Sequence, residues 1–133
     1  MILAVQRAAH ATLHALATRL GTVELTPSEM NALGNLADGR PRTVSELGVA
    51  VGAKPATVTG ILDRLERRGL VSRAVRPGDR RSVHVELTPA GRRTARSIHL
   101  ALEELEKHAL AGVDQHAIDG AQTVLGALAE VAP

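Results

Sequence analysis

Apolar positions recur along the 133-residue chain at two periods. Over residues 2–20, Ile2, Val5, Ala9, Leu13, Leu16 and Leu20 return every three or four positions. That spacing predicts one face of a helix, and Gly21 is a suitable stop. Thr26-Pro27-Ser28-Glu29 predicts a second helix, with Thr26 as cap, Pro27 at the first helical position and Glu29 completing a capping box. It should run to about Ala37, ahead of Gly39 and Pro41. Thr43-Val44-Ser45-Glu46 repeats the pattern and opens a short helix through Val51, with Gly52 as a left-handed terminator. Pro55 begins a longer helix whose predicted buried side is Ala56, Val58, Ile61, Leu62 and Leu65, and Gly69 ends it.

The period then changes to two. Residues 70–76 and 82–87 alternate apolar and polar, and Pro77-Gly78-Asp79-Arg80 between them has turn chemistry. A β-hairpin is predicted, with an aspartate and two arginines at or near its tip. Thr88-Pro89-Ala90-Gly91 opens another helix with the face Ala95, Ile98, Leu102, Leu105 and Ala109, broken by Gly112. Asp114 caps a last helix with the face Ile118, Ala121, Leu125 and Leu128. The fold class is mainly α with a small β-hairpin. Its middle is a short helix, a glycine turn, a longer helix and a hairpin, which is a helix-turn-helix with a hairpin attached. The apolar stripes of the first and last helices would be wasted without a partner.

Composition narrows the chemistry. The length suits one folding unit, and 44% apolar with 23% charged residues is a globular balance. The chain has no Phe, Tyr or Trp, so the core is aliphatic and no aromatic platform exists for single-stranded bases. It has no cysteine, which excludes disulfides, thiolate metal sites and thiol redox sensing, and fits a reducing cytoplasm. No apolar run approaches the ~18 residues of a membrane span, and the N-terminus lacks the pattern of a signal peptide. No Gly-rich phosphate loop, GxSxG or HExxH is present, so neither an enzyme nor a cofactor is expected. The formal charge of +2 hides an asymmetry: from Arg40 to Arg81 there are ten basic and four acidic residues, a net +6, and the rest carries −4. A basic centre between acidic ends suits a polyanionic partner.

Several runs together carry a family resemblance. They are Leu25-Thr26-Pro27-Ser28-Glu29, Thr43-Val44-Ser45-Glu46-Leu47 and Thr57-Val58-Thr59, then Leu62-Asp63-Arg64-Leu65-Glu66-Arg67-Arg68-Gly69-Leu70-Val71, Gly78-Asp79-Arg80-Arg81 and Val85-Glu86-Leu87-Thr88-Pro89-Ala90-Gly91. In order and spacing they resemble the MarR family of bacterial winged-helix transcription regulators. The resemblance implies one domain over residues 1–133. Residues 24–90 would be the winged helix-turn-helix part, and residues 1–21 and 91–133 helical dimerisation parts. It also implies a symmetric homodimer, duplex DNA as partner, and a small-molecule effector in a cleft between the two parts.

On that resemblance the helix over residues 55–68 is the recognition helix, entering the major groove by its N-terminal end. Thr57 and Thr59 would bond phosphates or base edges, Pro55 and Ala56 would touch a thymine methyl, and Lys54 would reach a phosphate. Gly60 departs from the many relatives that carry a long polar or basic residue there, so shape readout gains weight. Arg64 would touch DNA, or else pair with an acid of its own helix. Asp79 would orient an arginine in the minor groove, Arg81 being favoured over Arg80. Arg73 and Arg76 would contact the DNA backbone. Thr43 and Ser45 would offer hydroxyls or helix-start amides to phosphate, although capping alone also accounts for them. His10 and His14 lie four apart on one side of the first helix. They could line the effector cleft, hold a metal that no nearby carboxylate completes, or be plain surface; no bound metal is expected. The expected function is a dimeric, sequence-specific, double-stranded DNA-binding transcriptional regulator in the cytoplasm, a repressor released by a small-molecule effector. Its operator would be a pseudopalindrome. The alternatives are a winged-helix protein-interaction module and a metal-responsive regulator using His10 and His14.

Overall fold

The two sequence periods become six α-helices and three short strands among the residues that the computed structural model describes, 1–75, 77–78 and 82–131. Helix α1 (Ile2–Arg19) leads through a single 3-10 turn (Gly21–Val23) to α2 (Pro27–Gly34). Strand β1 (Arg42–Thr43) runs directly into α3 (Val44–Val51), and α4 (Pro55–Arg67) follows. Strands β2 (Val71–Val75) and β3 (Val83–Leu87) precede α5 (Pro89–Ala109) and α6 (Gln115–Ala129). The sheet is antiparallel in the order β1-β3-β2, with Arg42 opposite Val85 and Arg73 also opposite Val85. No described helix is long and apolar enough to cross a membrane.

One aliphatic core joins these elements. Leu16 of α1, Met30 and Leu33 of α2, Leu47 of α3, and Val58, Ile61, Leu62 and Leu65 of α4 meet Val71, Val85 and Ile98. The stripe on α4 therefore fixes which face of that helix looks outward. At the start of α5, Thr88 accepts from the Gly91 amide at 3.0 Å and donates its hydroxyl proton to the Gly69 carbonyl at 2.6 Å. Gly91 is required there, because a Cβ would stand 1.8 Å from the Leu70 carbonyl oxygen.

The structure amends several sequence expectations. Helix α2 ends at Gly34, short of Ala37, and turns follow it. Thr26 caps that helix, but the Glu29 carboxylate bonds Arg64 of α4 instead of completing a capping box. Strand β1 was not expected: two residues are too few to display alternation, and Thr43 already reads as a cap. Ala56 is exposed, because two residues before Val58 it lies on the opposite side of the helix from the buried stripe. Helix α5 ends before Gly112, with Leu110 as its C-cap. In α6, Ile118 and Leu128 are half-buried, Ala121 and Leu125 are exposed, and no residue is fully buried. Elsewhere the local signals hold. Thr43 and Glu46 close a reciprocal capping box, and Gly52 adopts φ 65° at the end of α3.

Candidate nucleic-acid interface

The N-terminal end of α4 projects Lys54, Pro55, Ala56, Thr57 and Thr59, all exposed. Pro55 occupies the first helical turn, where its missing N–H costs nothing. Thr59 donates its hydroxyl proton to the Pro55 carbonyl at 3.0 Å, so outwardly it offers acceptor lone pairs. Thr57 makes no side-chain hydrogen bond among the described residues, and its hydroxyl can both donate and accept. Thr43 is spent on its cap, bonding the Glu46 amide through Oγ1 at 3.1 Å and the Glu46 carboxylate through its own N–H at 2.9 Å. Ser45, in the first turn of α3, is exposed.

Ion pairs grip both flanks of α4. On the side of α2, Arg64 Nε meets Glu29 Oε1 at 2.9 Å. On the side of β2, Arg73 meets Asp63 through Nη2 and Glu66 through Nε, each at 2.6 Å. Those hydrogen bonds, first to Asp63 and then to Glu66, raise the pKa of the Arg73 guanidinium above its already high ordinary value. At the C-terminal end, Arg68 donates to the carbonyls of Val23 and Glu24 between α1 and α2. Glu24 there has φ 53°, in the left-handed region.

The sequence signals for Arg64 and Arg73 were therefore incomplete. The acid that pairs with Arg64 lies on α2, not on its own helix. Arg73, read as a backbone contact, has its guanidinium engaged by two carboxylates. Glu29 was missed as a site residue because Thr26-Pro27-Ser28-Glu29 has a complete local explanation as a helix start. Asp79, Arg80 and Arg81, with Arg76, lie outside the described residues, so the hairpin-tip signature rests on the sequence. Strands β2 and β3 lead to that segment, with Val75 opposite Val83.

A cavity of about 450 Å³ lies where α1, α2, α3 and α5 meet, lined by Leu13, Leu16, Met30, Asn31, Asn35 and Leu102 among others. Helix α1 supplies Ala9, Thr12 and Leu13 to it rather than His10 and His14, which are both exposed. Among the described residues no cluster of three His, Asp or Glu is placed to hold a metal ion.

Comparison with known proteins agrees with this architecture. The MarR family model matches residues 25–83. The HTH-type transcriptional repressor NicR of Pseudomonas putida is 43% identical over 68 residues, which is 51% of this chain and 43% of that protein. The chain spans about half the length of the curated relatives it matches. A probable transcriptional regulator from Pseudomonas aeruginosa is 30% identical with a TM-score of 0.70, over 96% of each chain. NadR, solved in complex with 4-hydroxyphenylacetate, shares the fold with a TM-score of 0.88 at 22% identity, over 98% of this chain and 92% of that one.

Proposed function

The chain belongs to the MarR family, and from that premise we propose that it is a sequence-specific, double-stranded DNA-binding transcriptional regulator acting as a homodimer. The observation that carries this reading is the state of α4. Its polar N-terminal face is exposed while its flanks are fixed by Glu29 and Arg73. A helix held on both sides and bare on its outer face is preorganised to enter a groove. It also sits within the stretch of net charge +6. Lys54, Pro55, Ala56, Thr57 and Thr59 would meet the major groove, with Arg64 beside them. Thr43 and Ser45 would lie near phosphates, and Asp79, Arg80 and Arg81 would serve the minor groove. Arg73 would act by holding β2 against α4.

The exposed apolar residues of α1 and α6, Ile2, Leu3, Val124 and Leu125 among them, support a second copy as the partner of the terminal helices. Two winged parts related by a twofold axis suit a pseudopalindromic operator with half-sites roughly 10 bp apart. The cavity beside α1, α2 and α5 supports repression relieved by a small organic effector, since a ligand there would bear on the angle between α1 and the winged part. With no aromatic side chain in the protein, that effector would be held by aliphatic packing and by Asn31 and Asn35. The test is fluorescence anisotropy of a labelled duplex from the gene's own upstream region, at two salt concentrations, against random duplex as competitor. Neutralising about six to ten phosphates gives a log–log salt slope of roughly −0.9 per phosphate. A flat salt response refutes the proposal; equal affinity for random duplex means either that the operator lies elsewhere or that DNA is not the main partner, and a pull-down for protein partners then follows.

A further inference from the structure

We propose that Glu29 is a positioning residue for DNA recognition: it holds Arg64 by Nε, so that Nη1 lies over Gly60 and the open end of the guanidinium is presented to the duplex. This rests on the reading of α4 as the recognition helix.

Glu29 is 4% exposed and is the one charged residue in the buried set of the described residues. A buried carboxylate is costly unless it is paired. Its partner, Arg64, keeps 48% of its side chain exposed. One edge of the guanidinium is therefore fixed in the protein and the other is open. Gly60 precedes Arg64 by one helical turn, and a Cβ there would lie 3.6 Å from Arg64 Nη1. Helical side chains lean toward the helix N-terminus, so Arg64 reaches back along the row formed with Gly60 and Ala56. A long side chain at position 60 would contest that place. The Arg64 guanidinium thus stands where a long residue at 60 would have stood, at the middle of α4 and one turn nearer than its own Cα to the end that enters the groove. Glu29 makes this possible by leaving its own helix start: the same Thr-x-x-Glu spacing closes a capping box at Thr43 and Glu46 but is diverted at Thr26 and Glu29.

With Nε occupied, Nη1 and Nη2 form a planar two-donor fork. Its complement is a paired acceptor, either the O6/N7 edge of guanine or two oxygens of one phosphate.

The experiment uses a labelled duplex that the wild-type protein selects from a randomised pool. Anisotropy is read for wild type, Arg64→Ala, Glu29→Gln and the double variant, with circular dichroism melts for each. Glu29→Gln keeps the size and an acceptor oxygen but removes the charge. Arg64→Ala is expected to weaken binding roughly tenfold. Glu29→Gln should weaken it several-fold alone and not at all in the Arg64→Ala background. A guanine contact shows as a guanine preference lost at one operator position. A phosphate contact shows as uniform weakening with a salt slope about 0.9 shallower. Either supports the proposal. Equal losses from Glu29→Gln in both backgrounds would mean a merely structural carboxylate and overturn it. Arg64→Ala binding as tightly as wild type overturns it alone, whereas a wild-type protein that selects no duplex overturns the DNA reading as well. Should Glu29→Gln fail to fold, Gly60→Gln on the helix surface takes its place: it should abolish the effect of Arg64→Ala, and an undiminished effect overturns the proposal.

Discussion

Replacing Gly91 by alanine tests whether the junction of α5 with the winged part is as tight as it looks. The added methyl carbon would stand 1.8 Å from the Leu70 carbonyl oxygen and 2.8 Å from its carbon. Both are backbone atoms, so no side-chain rotation relieves the overlap, and the first turn of α5 must withdraw by well over an ångström. Two hydrogen bonds bind that turn to the segment between α4 and β2. Thr88 donates its N–H to the Leu70 carbonyl at 3.1 Å and its hydroxyl to the Gly69 carbonyl at 2.6 Å. Each is worth about 0.5–1.5 kcal/mol, and overpacking of this kind costs about 1–3 kcal/mol. Together they put the loss at roughly 2–6 kcal/mol, with a fall in Tm on the order of 10–20 °C at mid-range for a chain of this size. The assay is far-ultraviolet circular dichroism during thermal and urea unfolding, since the chain has no Trp or Tyr to report by fluorescence. A Gly91→Ala protein within about 1 kcal/mol of wild type would refute the argument from close approach.

Gly60→Ala should act in the opposite sense, stabilising by about 0.5–1 kcal/mol, because its Cβ meets only Arg64 Nη1 at an ordinary 3.6 Å; a lower urea midpoint would contradict this. Thr43→Ala breaks the reciprocal capping box of α3 and should cost about 1 kcal/mol in urea unfolding. Arg73→Gln severs half-exposed ion pairs, so its stability cost should stay below about 1 kcal/mol, while anisotropy shows weaker DNA binding as β2 loses its grip on α4. The raised pKa of Arg73 favours its charged form in the folded chain. Its contribution is complete below the ordinary arginine range and is lost only as pH rises through the raised value. Titration from neutrality into mild alkali should therefore move wild type and Arg73→Gln in parallel. Arg80→Ala with Arg81→Ala should strip duplex affinity and leave the helical dichroism unchanged.

Signals contained within one turn of the chain were legible. Thr43, Thr88 and Asp114 cap the helices that follow them, because a cap is a bond between residues two or three apart. The features that escaped depend on partners far along the chain. Glu29 satisfies a local motif, yet its carboxylate is claimed by an arginine 35 positions away. Gly91 looks like part of a helix start, and its necessity comes from a carbonyl across the fold. Arg73 looks like a free cation on an alternating strand, and only the packing of β2 beside α4 brings Asp63 and Glu66 to it. Two-residue β1 exists because β3 offers it an edge, which no periodicity in so short a segment could announce.

Helix α6 holds 15 residues and buries none of them fully. Isolated helices of about 12–15 residues are marginal in water, and within the chain only Ile118 and Leu128 of this one are half-buried. If a second copy provides that cover, association and folding become one equilibrium. Dilution then acts as a denaturant: the melting temperature climbs with the logarithm of protein concentration, and a cell making few copies would hold fewer folded ones than their number suggests.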